Sequence, residues 1–173
     1  EISPRVNMTA RRDTETDPAA SAPARAEASS LAPGAPLPGG YPVEPTDIHP
    51  SVRHLECIRD LATLTDKVFH IYSLGKERVE DAMEMVRIAG GMTHEQFRSR
   101  PHMFTNINSV SPLKHDYPML DGAMRMAKRG QPVVVTPFTL AGAMAPVTMS
   151  GAVALSIAEA LAAVALLQYI APG

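Results

Sequence analysis

A chain of 173 residues can bury the core of one domain, but it is shorter than the roughly 250 residues that a complete eight-stranded β/α barrel takes. A formal net charge of −2 leaves no basic field for nucleic acid or for an anionic membrane. Cys57 is the single cysteine, which excludes an internal disulfide and a cysteine-based zinc site and fits a reducing cytoplasm.

Residues 1–38 are rich in Ala, Pro and Ser and nearly devoid of large apolar side chains. Such a segment cannot bury enough surface to offset its ordering entropy, so it is expected to be disordered, either a linker or the product of a truncated or misassembled gene. Residues 1–20 carry no apolar h-region of the kind a signal peptide uses. The folded domain is expected over residues 39–173.

Within it, Val52, Leu55, Ile58, Leu61 and Leu64 recur at helical spacing, predicting a helix over 49–64. Residues 68–74 (VFHIYSL) are β-branched and aromatic and predict a strand, closed by a turn at Gly75. A helix over 77–89 follows, with Val79, Met83, Val86 and Ile88 apolar and Gly90-Gly91 as its stop. Residues 94–99 allow one more helical turn. Residues 103–110 predict a second strand, broken by Ser111-Pro112. Met119, Leu120, Ala123, Met124 and Ala127 give the inward face of a helix over 118–128, and a third strand is expected over 133–136.

Thr148 is a natural N-cap for a last helix, over 147–170. Between residues 138 and 173 the only formal charge is Glu159. The length would span a bilayer, but a carboxylate in mid-helix is costly in lipid. A buried helix of a soluble domain is expected, with Glu159 paired in the wall or at a subunit contact.

Strand, turn and helix thus alternate three times. That is the pattern of a parallel α/β protein, here a part of a TIM-type (β/α)8 barrel, whose active site lies at the C-terminal ends of the strands. Three clusters fall there: Tyr72, Ser73 and Gly75; Asn106, Asn108, Ser109 and Ser111; and Thr136 to Phe138, continuing through Gly142 and Pro146 to Thr148. No nucleophile stands beside a base, and no metal-ligand spacing occurs, since His49 and His54 are not at i, i+4. Each cluster also has a plainer reading. Tyr72 and Phe138 can be packing residues, the two asparagines can hold their own loop, Gly142 and Pro146 can merely shape a turn, and His70 reads as a core histidine.

Several separate phrases narrow the reading. DKVFHIYSLGKERVEDAMEMVRIAGG, NSVSPLKHD and PFTLAGAMAPVTMSGAVALSIAEALAAVALLQYIAPG, in that order, resemble the corrinoid-dependent trimethylamine methyltransferase family over residues 39–173. The resemblance implies transfer of a methyl group from a tertiary or quaternary amine, trimethylamine or a betaine, to the cobalt of a cobalamin held by a separate corrinoid protein. Methylamine metabolism of the methanogenesis type is its setting. The chain itself would bind no cofactor. Relatives without pyrrolysine use glycine betaine or similar amines, and the deciding position would lie beyond Gly173. A homo-oligomer is expected at full length.

On that chemistry Tyr72 and Phe138 are candidate walls of a cage for a methylated ammonium. Asn106, Asn108 and Ser109 are candidate donors to a substrate carboxylate. Gly142, Pro146 and Thr148 mark a cofactor-facing loop. The alternative is a non-catalytic barrel remnant or binding module. Alone, the chain is expected to be a marginally folded and inactive piece.

Overall fold

The computed structural model describes residues 45–172, apart from residues 66 and 69. The disorder expected for residues 1–38 lies outside the described residues. The described chain forms five helices and two short strands.

Helix α1, Arg53–Leu64, turns His54, Cys57, Ile58, Leu61 and Ala62 inward, the three-and-four spacing of one helix face. Gly75, at φ 88°, makes the sharp entry to α2, Lys76–Ala89, which buries Val79, Ala82, Met83 and Val86. A capping box between Thr93 and Gln96 starts the short α3, His94–Arg98. Asp116 caps α4, Tyr117–Ala127, with Pro118 in its first turn. Thr148 caps α5, Met149–Ile170, its hydroxyl accepting from the Gly151 N–H.

Strands β1, Thr105–Ile107, and β2, Val133–Val135, pair in parallel, with Thr105 opposite Val133 and Ile107 opposite Val135. Helix α4 makes the crossover between them. On the other side of β1, His70 forms a parallel bridge with Phe104, and the Ile71 N–H donates to the Phe104 carbonyl at 3.0 Å. All three expected strand regions therefore pair in parallel, and the architecture is α/β.

The strands are shorter than the sequence suggests. Past Ile71 the backbone curls, with the Leu74 N–H on the Tyr72 carbonyl and the Gly75 N–H on the Pro118 carbonyl. Past Ile107 the chain folds on itself: Ser109 bridges His115 in antiparallel fashion and the Val110 N–H meets the Lys114 carbonyl. Local turns thus capture the ends of both runs.

Pleating sends alternate residues to opposite faces of the sheet. Ile71, Met103, Thr105 and Ile107 face the helices and are buried. Ile71 and Met103 join Ile58, Leu61, Val79, Met83, Val86, Phe97 and Met126 in one core cluster. Ile107 joins Ala123, Ala163 and Leu167 in a second, between the sheet, α4 and α5.

Helix α5 departs from the buried helix expected. Only Ala152, Glu159, Ala163 and Leu167 are buried, whereas Val153, Ile157, Leu161 and Val164 are exposed. Among the described residues the sheet, α4 and the 109–115 loop cover a single face of it, and the opposite face has no neighbour. By length and composition alone it could cross a membrane.

Candidate functional site

The face of the sheet turned away from the helices carries His70, Tyr72, Phe104, Asn106, Asn108, Val134 and Thr136, by the same alternation that buries their neighbours. At its start His70 stacks on Phe104, with centroids 5.2 Å apart and planes 20° apart, and meets Tyr72 edge-on at 5.7 Å. The His70 Nε2 accepts the backbone N–H of Asn106 at 3.2 Å, so that nitrogen carries no proton. Burial holds the His70 pKa below its ordinary value, and a separate hydrogen bond with the Asn106 side chain opposes this without reversing it. A neutral imidazole therefore props the Tyr72 ring and fixes the Asn106 backbone. His70 is thus buried and hydrogen-bonded as a satisfied histidine, but on the sheet face away from the helices and outside both core clusters.

One step past the ladder, the Thr136 hydroxyl donates to the Asn108 Oδ1 across the two strand ends and also lies 3.2 Å from the Ile107 carbonyl. The Asn108 NH₂ has no partner among the described residues and is the donor this arrangement can offer to a ligand. Tyr72 and Phe138, the two aromatic candidates, are 41% and 57% exposed, enough to offer a ring to a ligand. Phe138 makes no ring contact among the described residues, so the structure groups Tyr72 with His70 and Asn106 and leaves Phe138 on the neighbouring loop.

Ser109 is placed on the opposite side. It is buried facing α5, its hydroxyl donating to the Glu159 Oε2 at 2.5 Å and accepting from the Phe138 N–H at 3.2 Å. In this position it binds protein. Ser111 donates to the same Oε2 at 2.7 Å and lies 3.1 Å from the Phe138 carbonyl, while the Leu113 N–H donates to Oε1 at 2.7 Å. The His115 Nε2 donates to the Glu159 carbonyl at 3.0 Å. Burial pushes the Glu159 carboxyl up, but the donors Ser109, Ser111 and Leu113, with His115 nearby, outweigh it and hold the pKa below the ordinary value.

The loop after β2 is tightly wound. The Leu140 carbonyl accepts from the N–H groups of Ala143, Met144 and Ala145, and Gly142, at φ 79°, turns its N–H to the Ala145 carbonyl. The Pro146 ring lies against Gly151, where an added Cβ would meet the Pro146 Cβ at 2.8 Å. Thr148 spends its hydroxyl on the α5 cap. Among the described residues no three His, Cys, Asp or Glu converge as a metal-ligand set.

Sequence reasoning expected Glu159 to be paired in the wall or at a subunit contact, and the structure pairs it within the chain with partners that were not named. The one signal was a lone carboxylate in an apolar helix, which in a folded protein must find donors.

Comparison with known proteins adds the family. The chain is 38% identical over 137 residues to a glycine betaine methyltransferase of Desulfitobacterium hafniense (strain Y51), covering 79% of this chain and 28% of that protein. It is 36% identical over 74 residues to a proline betaine:corrinoid methyltransferase of Eubacterium limosum, covering 43% and 15%. It is 29% identical over 133 residues to the trimethylamine methyltransferase MttB of Desulfitobacterium hafniense (strain DSM 10664 / DCB-2), covering 76% and 26%. The chain thus spans less than a third of the length of these relatives. A family model described as trimethylamine methyltransferase matches residues 30–173, most of the sequence, and the chain belongs to that family.

Proposed function

We propose that residues 39–173 supply about three βα units of a TIM-type (β/α)8 barrel in an enzyme that moves a methyl group from a tertiary or quaternary amine, trimethylamine or a betaine, to the cobalt of a corrinoid protein. One observation supports this most directly. Tyr72, Asn106 and Asn108 share the uncovered face of a parallel sheet at its C-terminal end, and the Asn108 NH₂ is available there.

The residues suit a substrate that needs holding more than it needs acid–base help. When a quaternary ammonium, or a tertiary amine bound with its proton, gives up a methyl group, the electron pair of the broken C–N bond stays on nitrogen and the amine leaves neutral. No proton has to move, and a neutral, buried His70 serves as a prop. A reduced cobalt supplies the electron pair of the new bond. Tyr72, and Phe138 from the next loop, give the cation an aromatic face worth about 0.5–2 kcal/mol per ring. Asn108, with Asn106, gives a betaine carboxylate its donors. Placement of the methyl group in line with its acceptor then carries the rate.

The loop with Gly142, Pro146 and Thr148 faces the acceptor in this reading, and the cobalamin belongs to the partner. The cytoplasm and a homo-oligomer are the setting that goes with it. The test is methyl transfer to reduced cobalamin by the full-length protein, with trimethylamine and glycine betaine compared. Growth of methylcobalamin with one of them is expected. The reading fails if neither these nor any other quaternary ammonium methylates the cobalt.

A further inference from the structure

We infer that Glu159 is a positioning residue for the strand-end site, holding the loops that carry Asn108 and Phe138 in one fixed arrangement. This rests on the function proposed above for what the site does, but the geometry stands by itself.

Glu159 lies about midway along α5, is 2% exposed, and reaches the loop after β1 with both ends of its carboxylate and with its backbone. Oε2 takes the hydroxyls of Ser109 and Ser111, Oε1 takes the Leu113 N–H, and the Glu159 carbonyl takes His115. Four points along residues 109–115 are thereby tied to one turn of helix. Leu113 sits at φ 54°, a left-handed conformation that a leucine rarely adopts, in the same residue that delivers its N–H to the carboxylate.

The tie extends to the second loop. The Ser109 Oγ accepts the Phe138 N–H, and the Ser111 Oγ lies within hydrogen-bond distance of the Phe138 carbonyl. The Phe138 N–H therefore rests on Ser109, while the single Ser111 proton is shared between Glu159 Oε2 and the Phe138 carbonyl. Asn108, next to Ser109, is in turn joined to Thr136, two residues before Phe138. One buried carboxylate thus holds the residue that follows Asn108 and, through the two serines, the backbone of Phe138. A carboxylate accepts from all three donors at once. An amide in its place must present NH₂ to one side and so breaks the pattern.

Two measurements test this. In the full-length protein, Glu159→Gln should speed amide hydrogen exchange at Leu113 and Phe138 about tenfold, while the amides of α2 keep their protection. Unchanged exchange at both loops, or an equal rise throughout the chain, overturns the inference whatever the enzyme does.

In the full-length protein, Glu159→Gln should raise the amine KM about tenfold with kcat kept within about twofold, because the loops are displaced and the reacting groups are not. A fall in kcat at unchanged KM marks a loss of folded enzyme and overturns it too. Should Glu159→Gln not fold, Ser111→Ala removes one donor and the link to the Phe138 carbonyl. It should give the same KM effect, about threefold. Absence of any methyl transfer by the wild type refutes the proposed function and leaves the exchange result to decide the loop inference.

Discussion

Gly122 lies in the middle of α4, where alanine ordinarily stabilises a helix over glycine by about 1 kcal/mol. The opposite is expected here. A Cβ on Gly122 would lie 2.2 Å from the Ser73 Oγ and 2.8 Å from the Val79 Cγ2. Ser73 is 3% exposed and donates to the Met119 carbonyl at 2.7 Å, one turn back on the same helix. Gly122→Ala must therefore displace a buried hydroxyl from its acceptor, at about 1 kcal/mol, and overpack the contact with α2, at about 1–3 kcal/mol. After the gain in helix propensity, a net loss of about 1–3 kcal/mol remains. Urea unfolding followed by circular dichroism would measure it. Ser73→Ala removes the nearest clash, so the double variant should be more stable than the two single losses predict, by about 1 kcal/mol. A stabilised Gly122→Ala, or two strictly additive losses, would show that α4 has room to spare and refute the close approach.

Gln131 is 3% exposed, and its Oε1 takes the N–H groups of His102 and Met103 while its Nε2 faces the carbonyls of Phe97, Arg100 and Arg129. Gln131→Ala should cost about 2 kcal/mol in urea unfolding by leaving those groups unpaired. Glu159 has a pKa lowered by folding, so the charged form favours the fold. Its contribution is present above the ordinary carboxylate value and fades as pH falls through the lowered one, and the urea midpoint of the wild type should drop on acidification by more than that of Glu159→Gln. His70 is held neutral, its pKa also lowered, so its contribution is present above the ordinary histidine value and is lost on acidification below it. His70→Phe should flatten the stability profile in that range. In the full-length protein Tyr72→Ala or Phe138→Ala should weaken amine binding by about 1–2 kcal/mol in calorimetry. Asn108→Ala should hurt glycine betaine more than trimethylamine, and equal losses would remove the carboxylate role.

The helices were legible because their signals are local. Apolar spacing, Thr148 and the glycines placed α1, α2, α4 and α5 to within a few residues of the ends seen, and the Asp116 cap was found only in the structure. The strands were legible in kind but not in extent. A β-branched run says that a segment is extended and does not say where its partner stops. Here the Val110–Lys114 hydrogen bond and the Tyr72–Leu74 turn decide that. Both depend on backbone closure that no single residue type announces.

The site divides along the same line. If Asn106 and Asn108 point to one face, period-two alternation puts Ser109 on the other, so its withdrawal to the helix side could have been read from parity alone. What parity cannot supply is the acceptor that makes this withdrawal favourable. Glu159 lies 50 residues from Ser109 in sequence. A carboxylate in an apolar helix says only that donors must exist. Four groups on the 109–115 loop answer it, because the loop bends at Leu113 and Glu159 lies on the same face of α5 as the buried Ala152, Ala163 and Leu167. One residue earlier or later in the sequence, the carboxylate would be turned about 100° away from the loop, since each residue advances an α-helix by that angle.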